Sequence, residues 1–209
     1  MDYGKYGKLE FRRKFFKLLG AEIFIRDIES QTEVGFIKMK AWKLKEDVRV
    51  FSDRTQETEL FRIAARNVID FGATYDVFDS LSNQLLFSLR RKGLRSTFVR
   101  DRWELVGPDG SAMGFIEETG SSLALIRRWV GLIPIVGGVA DFVLMFIVQQ
   151  YTIQVHSGDE FKTAGLITRR KNPLLVKMEL DTGNAEIKAD SRISFAATAL
   201  LSVIDSTKN

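Results

Sequence analysis

The chain contains no cysteine. That removes disulfides, thiolate nucleophiles, thiolate-ligated metals and palmitoylation together. It holds a single histidine, His156, so multi-histidine metal sites are excluded and histidine-based catalysis has no partner set to draw on. His156 stands beside a turn signal and reads as a solvated turn residue. Only 3 prolines occur, against 16 phenylalanines, which favours a packed β-rich domain over a proline-rich linker. The opening MDYGKYGKLEF has no apolar run followed by small residues, so no secretory leader is expected, and no glycine at position 2 for myristoylation. The signatures GxxxxGK[ST], HExxH, GxSxG and CxxC are all missing, so no catalytic residue is assigned and no enzyme is expected.

What is present is enough for one domain. The 209 residues are 45% hydrophobic and 28% charged, with a net charge of +4. That composition excludes a multi-span membrane protein and a disordered chain. One theme recurs along it: an alternating strand, a polar turn containing Asp, and a second alternating strand that often ends in basic residues. It runs through AEIFIRDIESQTEVGFIKMK (21–40), DVRVFSDRTQETELFRIAAR (47–66), TYDVFDSLSNQLLFSLRRK (74–92), RWELVGPDGSAMGFIEE (102–118) and YTIQVHSGDEFKTAGLITRRK (151–171). Pro108-Asp109-Gly110 and Ser157-Gly158-Asp159 are the clearest turns. With strands near 9–14 and 174–181, about twelve antiparallel strands are expected. A sheet of that size closes or splits, and closure removes its exposed edges.

The tail supplies what would fill such a barrel. Ile193 to Ile204 reads ISFAATALLSVI, charge-free and apolar or small on every side. A dozen residues is short for a bilayer, so a core helix over 190–205 is expected, capped by Asp190-Ser191. A second apolar run, WVGLIPIVGGVADFVLMFIV (129–148), lies within an insertion over 121–149. A single crossing there would put the strands on either side of it on opposite faces of a membrane, where they could not share one barrel. Either it turns back near Gly137-Gly138 and enters a membrane interface, or it packs as a helical lid on the barrel.

These features together resemble the tubby-like, LURP-one-related and phospholipid scramblase superfamily. The residues that carry the likeness are GAEIFIRD, TYDVFD with LLFSLRRK, RWELVGPDGSAMGF and the ending ISFAATALLSVID. It runs from about Leu9 to Asp205, leaving out the insertion. The resemblance implies a single domain over 1–209, a closed twelve-stranded barrel around the C-terminal helix. It also implies relatives that bind phosphoinositides or are linked to transbilayer lipid movement. This chain differs from animal scramblases in lacking their cysteine-rich segment and a long acidic calcium loop before the final helix. Asp181, Asn184 and Glu186 in LDTGNAE are too few for a calcium site and are expected to serve a turn, so no metal and no cofactor is assigned.

In an up-and-down barrel all within-hairpin turns emerge at one end and all other connections at the other. The first end collects Asp27, Glu29, Glu33, Asp53, Glu57, Asp79, Asp109, Asp159, Glu160 and Asp181; Arg54 is an exception there, as Glu46, Asp70, Glu117 and Glu118 are at the other end. The second collects Arg12, Arg13, Lys14, Lys17, Lys43, Lys45, Arg91, Lys92, Arg95, Arg127, Arg128, Arg169, Arg170 and Lys171, and the apolar insertion leaves from it. Basic and apolar groups side by side suit an anionic lipid surface. The expected lipid-binding set is Arg12, Arg13, Arg91, Lys92, Arg127, Arg128, Trp129, Phe146, Arg169 and Arg170. The expected partner is an anionic phospholipid membrane, approached from the cytoplasm at its inner face. The competing expectation is a soluble scaffold whose insertion binds another protein. Nucleic acid is disfavoured, because the phenylalanines fall at alternating core positions rather than among the basic residues.

Overall fold

The computed structural model describes residues 3–16, 20–39, 47–67, 72–92, 102–119, 148–172 and 175–206. Twelve strands form one closed antiparallel barrel. They are β1 (Lys8–Phe16), β2 (Gly20–Asp27), β3 (Glu33–Met39), β4 (Asp47–Phe51), β5 (Glu59–Asn67), β6 (Thr74–Asp79), β7 (Gln84–Arg91), β8 (Arg102–Val106), β9 (Ala112–Glu118), β10 (Gln149–Ser157), β11 (Glu160–Asn172) and β12 (Leu175–Asp181). Each pairs with its neighbours in sequence, and β1 closes the ring on β12 with Leu9 opposite Leu180 and Phe11 opposite Met178. The expected fold is therefore observed. The apolar insertion lies outside the described residues, apart from its last two, Val148 and Gln149.

Period-2 alternation decides which side chains enter the barrel. Val48 and Val50 of β4 are buried while Arg49 between them is exposed. Ile153 and Val155 of β10, and Trp103 and Leu105 of β8, follow the same rule. Register shifts interrupt the ladders, for instance between Ile153 and Gln154 and between Val77 and Phe78. Such bulges bend a strand and help a sheet to close.

Helix α1 (Ser191–Ser206) fills the ring. Its sixteen residues span about 24 Å at 1.5 Å per residue. Phe195, Ala196, Ala197, Ala199, Leu200 and Val203 are fully buried. Phe195 stacks on Tyr3 at 4.0 Å between ring centres and lies 5.5 Å from Phe11 and 5.8 Å from Phe61. Gly35 makes room for that ring: a Cβ there would stand 3.3 Å from it. The helix hydroxyls avoid the cost of dry burial by bonding back one turn, Thr198 Oγ1 to the Ser194 carbonyl at 2.7 Å and Ser202 Oγ to that of Thr198 at 2.8 Å. No helix among the described residues is long and apolar enough to cross a membrane.

Candidate functional site: the two ends of the barrel

The hairpin turns gather at one end, where the carboxylates serve the backbone. Asp27 accepts from the Ser30 N–H at 2.9 Å and from its hydroxyl at 2.6 Å. Asp53 accepts from the Thr55 N–H, Asp79 from those of Leu81 and Ser82, and Asp109 from that of Ser111, each within 3.0 Å. These bonds hold all four carboxyls below their ordinary range: Asp27, Asp53 and Asp109 chiefly through the following Ser or Thr hydroxyl, Asp79 chiefly through the Ser82 N–H. Asp181 also serves a turn. It accepts from the Gly183 N–H at 3.0 Å and the Asn184 side-chain amide at 3.0 Å, and pairs with Lys8 at 3.2 Å. Glu186 accepts from the Thr163 N–H at 2.9 Å. The acidic turn expected to be structural is thus engaged in turn bonds, and no cluster of metal-ligating side chains occurs among the described residues.

At the opposite end the strands finish in cations, but these do not form one outward-facing surface. Arg13 continues the inward parity of Leu9 and Phe11 and is 8% exposed. Burial brings its pKa down to about 10. Arg169 continues the parity of Ile167 and is 7% exposed. Its Nε donates to Asp205 at 2.6 Å, its other nitrogens reach Asp205 and the Gln149 side chain, and burial lowers its pKa, with Tyr151 and Glu118 acting in the opposite direction. Both side chains are thus buried, on the inward-facing side of their strands. Arg169 there anchors the last turn of α1, beside Trp103, Tyr151 and Met178. Arg91 turns its guanidinium over the Trp103 ring, 5.5 Å from its centre.

The remaining expected residues divide by neighbour. Lys92 is exposed but pairs with Glu104 at 2.6 Å, and exposed Arg170 pairs with Glu179 at 3.3 Å. Arg12 is half-buried and in no ion pair among the described residues. Lys14, Lys38 and Arg90 are exposed and have no carboxylate within pairing distance among the described residues; Lys14 rests 5.0 Å over the Phe24 ring. Lys38 and Arg90 were not singled out from the sequence. Their signal is parity: each sits one residue from an inward apolar side chain, Ile37 and Leu89, near the end of its strand. Arg127, Arg128, Trp129 and Phe146, with Lys17, Lys43, Lys45 and Arg95, lie outside the described residues. His156 is exposed at the end of β10, its ring 4.0 Å from that of Phe161.

The class defined by this geometry is a closed up-and-down β-barrel threaded by its own C-terminal helix. Residues 33–128, which include β3 to β9, match the family model described as LURP-one-related. No curated protein and no solved structure matches the chain.

Proposed function

We propose that this barrel is a non-enzymatic module that docks on an anionic phospholipid surface with its cation-bearing end toward the headgroups. The observation that carries the reading is the polarity of the barrel. Asp27, Asp53, Asp79, Asp109 and Asp181 at one end are engaged in turns, while Arg12, Lys14, Lys38 and Arg90 near the other have no pairing carboxylate among the described residues. The apolar run 129–148 connects β9 to β10 at that same end. The LURP-one-related match over 33–128 and the likeness to tubby-like and scramblase proteins support a lipid-handling role. Scramblase-like movement of the bound lipid is a further step within this reading.

Each cation held near an anionic leaflet contributes about 1 kcal/mol, which fades over a Debye length. Flotation with neutral and with anionic vesicles, at low and physiological salt, tests the proposal. Wild-type protein is expected to float with anionic vesicles at low salt. Reversing Arg12, Lys14, Lys38 and Arg90 to Glu should abolish that while the thermal midpoint is kept. If the wild-type chain stays unbound to anionic vesicles at low salt, the lipid reading fails and the scaffold reading, with a protein bound at the insertion, replaces it.

A further inference from the structure

A cavity of about 490 Å³ opens at the turn end, between the start of α1, the segment after β12 and the N-terminal turn. That volume is in the range of small-molecule sites. Its walls are tied down from several segments. Thr182 Oγ1 donates to the Tyr6 carbonyl at 3.1 Å, the Gly183 N–H to the Gly7 carbonyl at 3.1 Å, and the Glu186 N–H to the Thr163 carbonyl at 2.9 Å. The space persists because the side chains around it are short: Ala164 from β11, Ala185 and Ala189 from the connecting segment. Two cations, Lys5 and Lys188, are exposed on its lining, and neither forms an ion pair among the described residues. Lys5 lies 4.8 Å over the Tyr6 ring. Asp190 also lines the cavity; its carboxylate accepts the Arg192 N–H at 3.0 Å and pairs with the Arg192 guanidinium at 2.6 Å, so the helix start contributes no anion site of its own.

We propose that this cavity binds a small amphipathic anion, its charged group held by Lys5 and Lys188 and its short aliphatic body against Ala164, Ala185 and Ile187. A buried hydroxyl, that of Ser194, lines the same space and suits a ligand with a polar head. The site is at the opposite end from the proposed membrane face, so it binds a soluble molecule and stands independently of the docking proposal.

The test titrates the isotope-labelled full chain with octanoate and follows amide shifts. Octyl glucoside serves as the uncharged control and acetate as the control without a tail. Saturable shifts confined to the cavity lining are expected with octanoate, with binding at least roughly tenfold weaker for either control. Lys5→Glu with Lys188→Glu should weaken octanoate by about tenfold or more and leave anionic-vesicle flotation unchanged. Ala185→Leu, which adds apolar volume to the open space, should weaken octanoate without lowering the thermal midpoint. Absence of saturable octanoate shifts, equal response to octyl glucoside, or indifference to both the charge reversal and Ala185→Leu overturns the proposal. Lost flotation with octanoate binding intact would instead count against the docking reading alone.

Discussion

Arg169 and Asp205 show what one residue pair contributes when both members are dry. Arg169 is 7% and Asp205 4% exposed. Taking two charges out of water costs several kcal/mol each, and their attraction offsets that only while both are present and hydrogen-bonded. Here Gln149 shares the guanidinium with Asp205, so the pair is bonded on more than one side. Removing one partner leaves the other charge buried. Asp205→Ala is therefore expected to cost about 3–5 kcal/mol in urea unfolding, while Arg169→Met combined with Asp205→Leu should recover most of it. A single substitution that costs under about 1 kcal/mol would mean that water reaches the pair and that it does not anchor the helix. A second residue, Gly114, is constrained by sterics rather than charge. A Cβ there would meet the Gln154 carbonyl oxygen at 2.1 Å, so the strand backbones approach too closely for any other residue.

At the scale of the element, the hairpin turns share one device, an Asp whose carboxylate gathers the N–H groups that the turn leaves over. The pH consequence has a definite sign. Asp27, Asp53, Asp79 and Asp109 have folded-state pKa values below the unfolded 3.8. Their stabilisation is present in full above that value and is lost as pH falls through the depressed folded values. Thermal midpoints should hold from neutrality to about pH 4 and then drop, and Asp79→Asn should flatten the drop. A midpoint that falls as steeply in Asp79→Asn would assign the acid limb elsewhere. The turns also show what was legible in the sequence. Pro108-Asp109-Gly110 and Ser157-Gly158-Asp159 were readable because Gly110 and Gly158 take positive φ, at 83° and 67°. The left-handed positions at Gln31, Gln56 and Asn83 carried no glycine to announce them. Helix α1 was readable from its lack of charge. Asp205 was not, because a carboxylate at the end of an apolar run looks like a terminus until Arg169 is seen to point inward. The parity that turns Arg169 inward is hidden by the bulge beside Gly165, which sets the buried Ala164 and Ile167 three positions apart rather than two. A basic run such as Thr168-Arg169-Arg170-Lys171 therefore read as one solvated surface.

For the whole molecule, the family match and the folding unit do not coincide. The matched residues 33–128 include seven strands, β3 to β9. The ring needs five more, and its seam joins β1 to β12, where Lys177 pairs with Glu10 at 2.8 Å. The core helix also lies outside the match, and Phe195 on it packs against Tyr3 and Phe11 as well as Phe61. Cut to 33–128, the chain would expose the inner face of β3 to β9, including Ile37, Val50, Ile63, Val77, Leu89, Leu105 and Ile116. Each such side chain returned to water forfeits about 1.5–3 kcal/mol, and a few of them exceed the 5–15 kcal/mol that a domain has in total. The fragment would also have two unpaired sheet edges, β3 and β9, which invite association. We expect fragment 33–128 to show no dispersed amide spectrum and no cooperative unfolding. Replacing residues 122–146 of the full chain with a short Gly/Ser linker should have the opposite result. Strands β9 and β10 pair directly, Glu118 opposite Tyr151, and the Thr119 N–H bonds the Gln150 carbonyl at 2.8 Å, so a short hairpin can span the gap. That shortened chain should unfold cooperatively. Cooperative, monomeric unfolding of 33–128 alone would place the domain boundary at the edge of the match instead, and would make the helix and its five flanking strands additions to a barrel that does not need them.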